Sequence, residues 1–385
     1  MIIFSVRALR PNFEPTNLNN NNDVVGFSKG RPAVILADGT LLTLPAQVTQ
    51  ARDISDNGVV LGDLHPGEPA LIDIGTMSVD AVSLPGFPTL GTCALNKDGD
   101  LVGSARSSLN SRDDRGFILN RQSSAITWVL PTIPLPKLAT PFLELHDLNS
   151  QGHAVGRQGW IGGVGGQEAA VFYNGTTVVT IGSPVGPCNG IRITENDRMR
   201  VLLNYGENIY DGATNSLTPF VGGAIKDLNA LGWIAWEDHS GDSYLTYGPS
   251  TKLDQLVAGS GWSNMFGIHL NDVGSFIGYG SIGGGLHSFI VTATFPPDIR
   301  EVLVAQILVG IINDAGGIFF IGGRGHRVPP WGPLRELLAA LPERLRNELD
   351  AVIAATPFHG PADANAFAAN ARRIVAQYQR QTRTR

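Results

Sequence analysis

A nine-residue phrase, clearest at residues 95–103 as LNKDGDLVG, recurs six more times and limits what this chain can fold into. The other copies are LNNNNDVVG (18–26), ISDNGVVLG (54–62), LNSQGHAVG (148–156), ITENDRMRV (193–201), LNALGWIAW (228–236) and LNDVGSFIG (270–278). In each, an apolar residue followed by Asn, Ser or Thr ends a short strand. Two variable positions follow, then a residue that tolerates positive φ: Asn22, Gly58, Gly99, Gly152, Asp197, Gly232 or Gly274. This is the chemistry of a hairpin whose type I turn ends in a left-handed residue. The opening Asn or Ser can bond its own backbone two residues on. Five copies end in Gly, where a neighbouring backbone is expected to approach closely; Val201 and Trp236 depart, so their units should pack differently there.

The surroundings of the phrase repeat as well. A third apolar run follows each copy, for example PAVIL (32–36), AAVFY (169–173) and HSFIV (287–291). A second tight turn, such as Asp38-Gly39 or Asn174-Gly175, then leads to a fourth run, for example TVVTI or KLDQLV. Four short strands in roughly 35–53 residues is the spacing of propeller blades, and one such sheet cannot bury both faces unless the units stack radially. The seventh unit ends at Phe295 and lacks a fourth strand, while IIFSVRAL (2–9) is a spare strand before the first phrase. The expectation is an all-β, seven-bladed β-propeller over 1–295, closed by its N-terminal strand so that no sheet edge stays open.

Phrase and third strand together resemble the HAF-repeat proteins of bacteria, whose repeat reads roughly A-x-x-I-N-x-x-G-x-V-V-G, followed after a loop by His-Ala-Phe. His287-Ser288-Phe289 is nearest to that triplet; elsewhere Pro-Ala or Arg-Gly replaces it. The resemblance covers about residues 1–295 and implies the repeat fold, with no shared catalytic residues to carry over. It also implies a family whose members are often exported. The start MIIFSVRALRPNFEPT shows no signal peptide, so the sequence itself reads as cytoplasmic, and no apolar run is long enough to span a membrane.

Residues 1–295 carry 17 basic and 26 acidic groups, net −9, which argues against nucleic acid as a partner. Cys93 and Cys188 make no disulfide framework and read as buried thiols. After Pro296-Pro297 the period becomes helical, giving a 296–385 appendage: an apolar helix over 298–313, a short hairpin over 317–323 and HRVPP, and helices over 343–355 and 361–381. The appendage is expected to dock on the ring or a partner, with 298–313 available for partner or self-association.

In a propeller, the second-to-third and fourth-to-first connections share one face, and here these connections vary while the others stay short. Variable loops on a rigid scaffold are where binding concentrates. Channel-mouth ligand candidates are Arg52, His146, Trp160, Arg192 and His269. Asp63 with His65, and Glu237 with His239, place acid-x-His at matching loop positions in units two and six, a set suited to a divalent metal or to proton transfer, though no metal motif matches and no cofactor is predicted. For catalysis the candidates are His65, His239, His146 and His269. An Asp before the apolar-Asn pair in units two, four and six reads as a structural bond between blades. The favoured reading is a binding or assembly module whose variable face takes a protein, peptide or glycan. The alternative is an enzyme, a hydrolase or lyase with its site at the channel mouth.

Overall fold

A computed structural model of the chain describes residues 2–65, 68–107, 114–134, 136–162, 166–182, 188–247, 250–294, 318–321, 324–327, 341–356 and 361–383, with Val304, Ile307, Leu308, Ile311 and Leu338. It divides into two compact units, Val6–Val291 and Met1–Ser5 with Thr292–Arg385.

Seven four-stranded sheets form a β-propeller. Blades one to six are consecutive meanders, beginning at Phe13, Gln50, Thr89, Thr140, Cys188 and Ala224; in blade seven the fourth place is taken by the N-terminal strand Ile3–Ala8, beside Gly285–Thr294. Two further bonds secure that closure: Leu9 N–H donates to Ser288 O (2.9 Å), and Ser288 Oγ donates to Phe13 O (2.7 Å). Apolar side chains from neighbouring blades fill the spaces between sheets. Val25 and Val34 of blade one meet Val60 and Ile72 of blade two, and Leu18 and Ile35 meet Ile277 and Ile290 across the closure.

All seven turn positions singled out in the phrase have positive φ, including the non-glycines Asn22 (68°) and Asp197 (59°). The phrase-ending glycine has an equally specific cause. The innermost strand bulges just before the Asn position, and a Cβ on Gly156 would lie 1.9 Å from Glu144 O. Blade five keeps the device but moves it across the strand pair: Val201 stands opposite Gly190, whose own Cβ would strike Val155 at 2.2 Å. Blade six opposes Trp236 to Ile225 and instead stacks the indole on Tyr244 (centroids 4.5 Å apart) and edge-on to Phe220 (5.7 Å).

One strand differs from expectation. The fourth strand of blade six is Ser250–Lys252, and Leu253–Leu256, expected to continue it, forms one helical turn with Asp254 in its first turn. In the second unit, Ile318–Ile321 pairs with Arg324–Arg327, and the helices Glu343–Ala355 and Pro361–Arg383 pack together, burying Leu345, Leu349, Phe367 and Ala371. The expected helix over 298–313 lies outside the described residues apart from Val304, Ile307, Leu308 and Ile311, which are helical. No helix among the described residues is long and apolar enough to cross a membrane.

Candidate binding face

The propeller's two faces are built differently. On the face where the phrases turn, amides tie each blade to the next. Asn19 Nδ2 donates to Ser55 O (3.0 Å), Asn96 to Asn149 O (3.3 Å), Asn149 to Thr194 O (3.2 Å), Asn229 to Asn271 O (2.9 Å) and Asn271 to Asn19 O (2.8 Å). Blades two and five carry Ser55 and Thr194 at that position, and the amide two residues on takes over. Asn57 donates to Asp98 O (2.7 Å) and Asn196 to Ala230 O (3.2 Å). The ring of latches is complete. The same Asn side chains close their own turns as the sequence implied: Asn149 Oδ1 accepts from Gln151 N–H at 3.0 Å.

Two residues before that Asn or Ser, the Asp of blades two, four and six staples strands together. Asp53, Asp147 and Asp227 each accept from the next residue's N–H (2.8, 3.0 and 2.8 Å) and from the following blade's Leu95, Ile193 and Leu270 N–H (2.9 Å each). Arg192 lies between two of them, with Nε 3.2 Å from Asp227 and 3.5 Å from Asp147, and His269 Nδ1 is 3.6 Å from Asp227. Burial pushes the Asp147 carboxyl up to about 6 against the pull of Arg192. Burial works against the Asp227 charge too, but Arg192 and His269 outweigh it and hold that carboxyl below the usual range. Arg192 is raised above its ordinary value, chiefly by Asp227. Beside this cluster, Asp56, Lys97, Glu195 and Asp272 help to line a cavity of about 70 Å³. That holds a few waters and falls far short of a small-molecule site.

The structure therefore brings Arg192 and His269 together on one carboxylate, as parts of the scaffold. The other candidates sit apart. Arg52 is paired with the buried Asp63 in its own blade. His146 faces acceptors with both ring nitrogens, Gly190 O at 2.9 Å and Glu144 at 3.6 Å. The bond from His146, with help from Arg157, holds Glu144 down at about 2. Trp160 is half-buried in blade four, and its indole N–H meets no acceptor among the described residues. His65 and His239 are exposed on hairpins of blades two and six, and Glu237 pairs with Lys226 (3.2 Å). Among the described residues, no group of three or more His, Cys, Asp or Glu is placed to hold a metal ion. Both cysteines are free and buried, and burial pushes Cys93 up to about 12, which leaves it an unreactive thiol.

What the sequence reading missed is the distribution of exposed apolar side chains. Leu130, Leu138 and Val221 lie in fourth-to-first connections, and Ile161, Tyr205 and Leu286 lie at second-to-third connections. Phe266 belongs to the first half of the innermost strand of blade seven, towards the same end. All seven lie on the loop side of the ring. Among the described residues, the remaining large exposed apolar side chains, Ile3, Trp128 and Leu217, are on outermost strands, Ile3 and Leu217 at the ends nearer the phrase turns. Leu138 (94% exposed) and Tyr205 (81% exposed) both have φ of 66°, a backbone that bulky side chains rarely adopt. The signal available in the sequence was an aliphatic or aromatic residue inside a loop, out of phase with any strand.

No family model matches the chain, and no curated protein matches it in sequence. Solved structures similar to it include an oligogalacturonate lyase in complex with manganese (11% identity, TM-score 0.48, covering 76% of this chain and 92% of that one). Another is the Pyrococcus horikoshii acylaminoacyl peptidase (10% identity, TM-score 0.46, 72% of this chain and 50% of that one). A third is the set of RRP9 WD40 repeats (12% identity, TM-score 0.44, 75% and 97%). Likenesses at these identities carry nothing about chemistry.

Proposed function

We propose that this chain is a binding module of the HAF-repeat type whose loop face docks a protein partner. The observation that supports this is the concentration of exposed apolar side chains on one face of a ring whose other face is closed by polar latches. Apolar exposure gathered on one side of a stable scaffold marks an interaction surface, and two of these side chains are held out by strained backbone. The ionisable candidates support chemistry less well, because each described one that is buried already serves a bond within or between blades.

The test is affinity capture with the full chain against a Tyr205→Asp/Val221→Asp variant and a Thr176→Asp control on the opposite face. The expected result is a partner retained by wild type and control at comparable amounts and depleted at least about tenfold by the double variant, roughly 1.4 kcal/mol of binding. Capture that is the same for all three proteins would show that this face does not dock a partner.

A further inference from the structure

Among the described residues, a cleft of ligand size lies on the same face. It lies where the third and fourth strands of blade two meet the connection to blade three, and its volume is about 510 Å³. That is within the range of small-molecule and side-chain pockets, roughly 300–1,000 Å³. Leu84 and Leu90 form a buried floor, and Pro69, Val82, Phe87 and Pro88 form apolar walls. Phe87 is fixed in place by neighbours outside the cleft. Trp128 lies with its ring centroid 4.6 Å away, and the Arg115 guanidinium sits over the Phe87 ring at 5.5 Å. The wall is therefore a braced aromatic surface. Glu68 alone among the cleft-lining residues is ionisable, and it is exposed at the rim.

We propose that this cleft is an anchor site for a partner segment carrying a large apolar side chain next to a Lys or Arg. The proposal rests on the loop face being the docking face and names the partner chemistry there. The apolar side chain fills the space between Leu84, Leu90 and Phe87, while the cation meets Glu68. Charge complementarity selects this occupant. The rim carries a carboxylate, and the ring as a whole is net −9 over residues 1–295, so a basic segment is attracted at long range and an acidic one repelled. A buried apolar anchor flanked by a rim charge is also how binding energy concentrates at interfaces.

The experiment uses the full chain and fluorescein-labelled peptides containing Lys-Leu-Phe-Lys, Glu-Leu-Phe-Glu or Lys-Ser-Ser-Lys, read by fluorescence anisotropy. Ala81 and Ser83 are exposed lining residues, so Ala81→Trp fills the cleft without touching the core, and Ser83→Trp is the second filling variant if the first does not fold. The expected result is binding of Lys-Leu-Phe-Lys at least about tenfold tighter than either twin, lost in Ala81→Trp and weakened about threefold to tenfold in Glu68→Gln. Equal binding of Lys-Ser-Ser-Lys overturns the anchor, equal binding of Glu-Leu-Phe-Glu overturns the role of Glu68, and unchanged binding to the filled variant overturns the location. Absence of binding by any peptide up to about 1 mM overturns the proposal outright. If partner capture depends on Tyr205 and Val221 while the filled variant still captures normally, the docking face stands and only the anchor fails.

Discussion

The two faces of the ring are made from the same strands and differ in what the sequence repeats there. On the latched face, a short turn of fixed geometry places one amide per blade against a carbonyl of the next, and that bond is rebuilt through Asn57 and Asn196 where Ser55 and Thr194 interrupt the series. On the loop face, the connections differ in length and sequence from blade to blade. Blades three and five each pair charges of their own there, Arg106 with Asp114 (2.6 Å) and Arg200 with Glu207 (2.6 Å), and Arg200 also donates to Lys226 O of blade six (3.3 Å). Stability is thus concentrated where the chain is periodic, and exposure of apolar groups where it is not. A scaffold so arranged can change its loops without opening the ring.

The harshest way to break that contrast is to open the ring. Deleting residues 2–8 leaves the strand Gly285–Thr294 as an unpaired edge and removes the Ser5–Thr292 hydroxyl bond (2.8 Å). The expected outcome is a fall in Tm of more than about 10 °C, with aggregation through the bare edge. A melting curve like that of the full chain would mean that the polar latches alone hold blade seven to blade one.

A single latch is the next test. Asn149 is 1% exposed, donates to Thr194 O and to Asp197 Oδ1 (2.8 Å), and accepts from Gln151 and His153 N–H (3.0 and 3.1 Å). Asn149→Ala leaves these groups unpaired and is expected to cost about 2–4 kcal/mol by chemical denaturation. Tyr205→Ala, on the loop face, is expected to stay within about 0.5 kcal/mol of wild type. Comparable losses from the two variants would erase the distinction between a structural and a functional face.

The fold was legible because its determinants are local and repeated. A positive φ at Asn22 or Gly99 needs only the residue and its turn, and periodicity of two needs only the strand. The missing fourth strand of the last unit even pointed to residues 2–9 for closure. The inter-blade role of Asp53, Asp147 and Asp227 could be read too, from recurrence at one position. The Asn latches could not, because an Asn that closes its own turn looks the same in sequence as one that also reaches the next blade. Nor could the cleft at Phe87: Glu68, Leu84 and Leu90 belong to different strands and a connection, and only the folded ring brings them together. The helical turn at Leu253–Leu256 was misread as strand because LDQL, following Lys252, fits an extended run as well as a turn of helix, and four residues are too few to separate the two periods.

The mildest test titrates the latched face against the loop face. Burial raises Asp147 and Asp272 to about 6, and Glu195 adds to the effect on Asp272. Both lie above the ordinary carboxyl value of about 3.9, so between about pH 4 and 6 the folded ring holds more protons than the unfolded chain. Their contribution to stability is therefore full below about pH 4 and falls as pH rises to about 6. Glu144, towards the loop end of its strand and held at about 2, acts in the opposite sense, but its contribution is lost only as pH falls below its ordinary value of 4.5. Asp272→Asn keeps an oxygen for the Ala230 N–H (2.7 Å) and removes the titrating charge. The variant is expected to show a shallower decline of Tm between about pH 4 and 6 than wild type, with an equal or higher Tm at about pH 7.5. If the two Tm curves run parallel across that range, the Asp272 carboxyl titrates as it would in water, and the latched face is wetter than its hydrogen bonds imply.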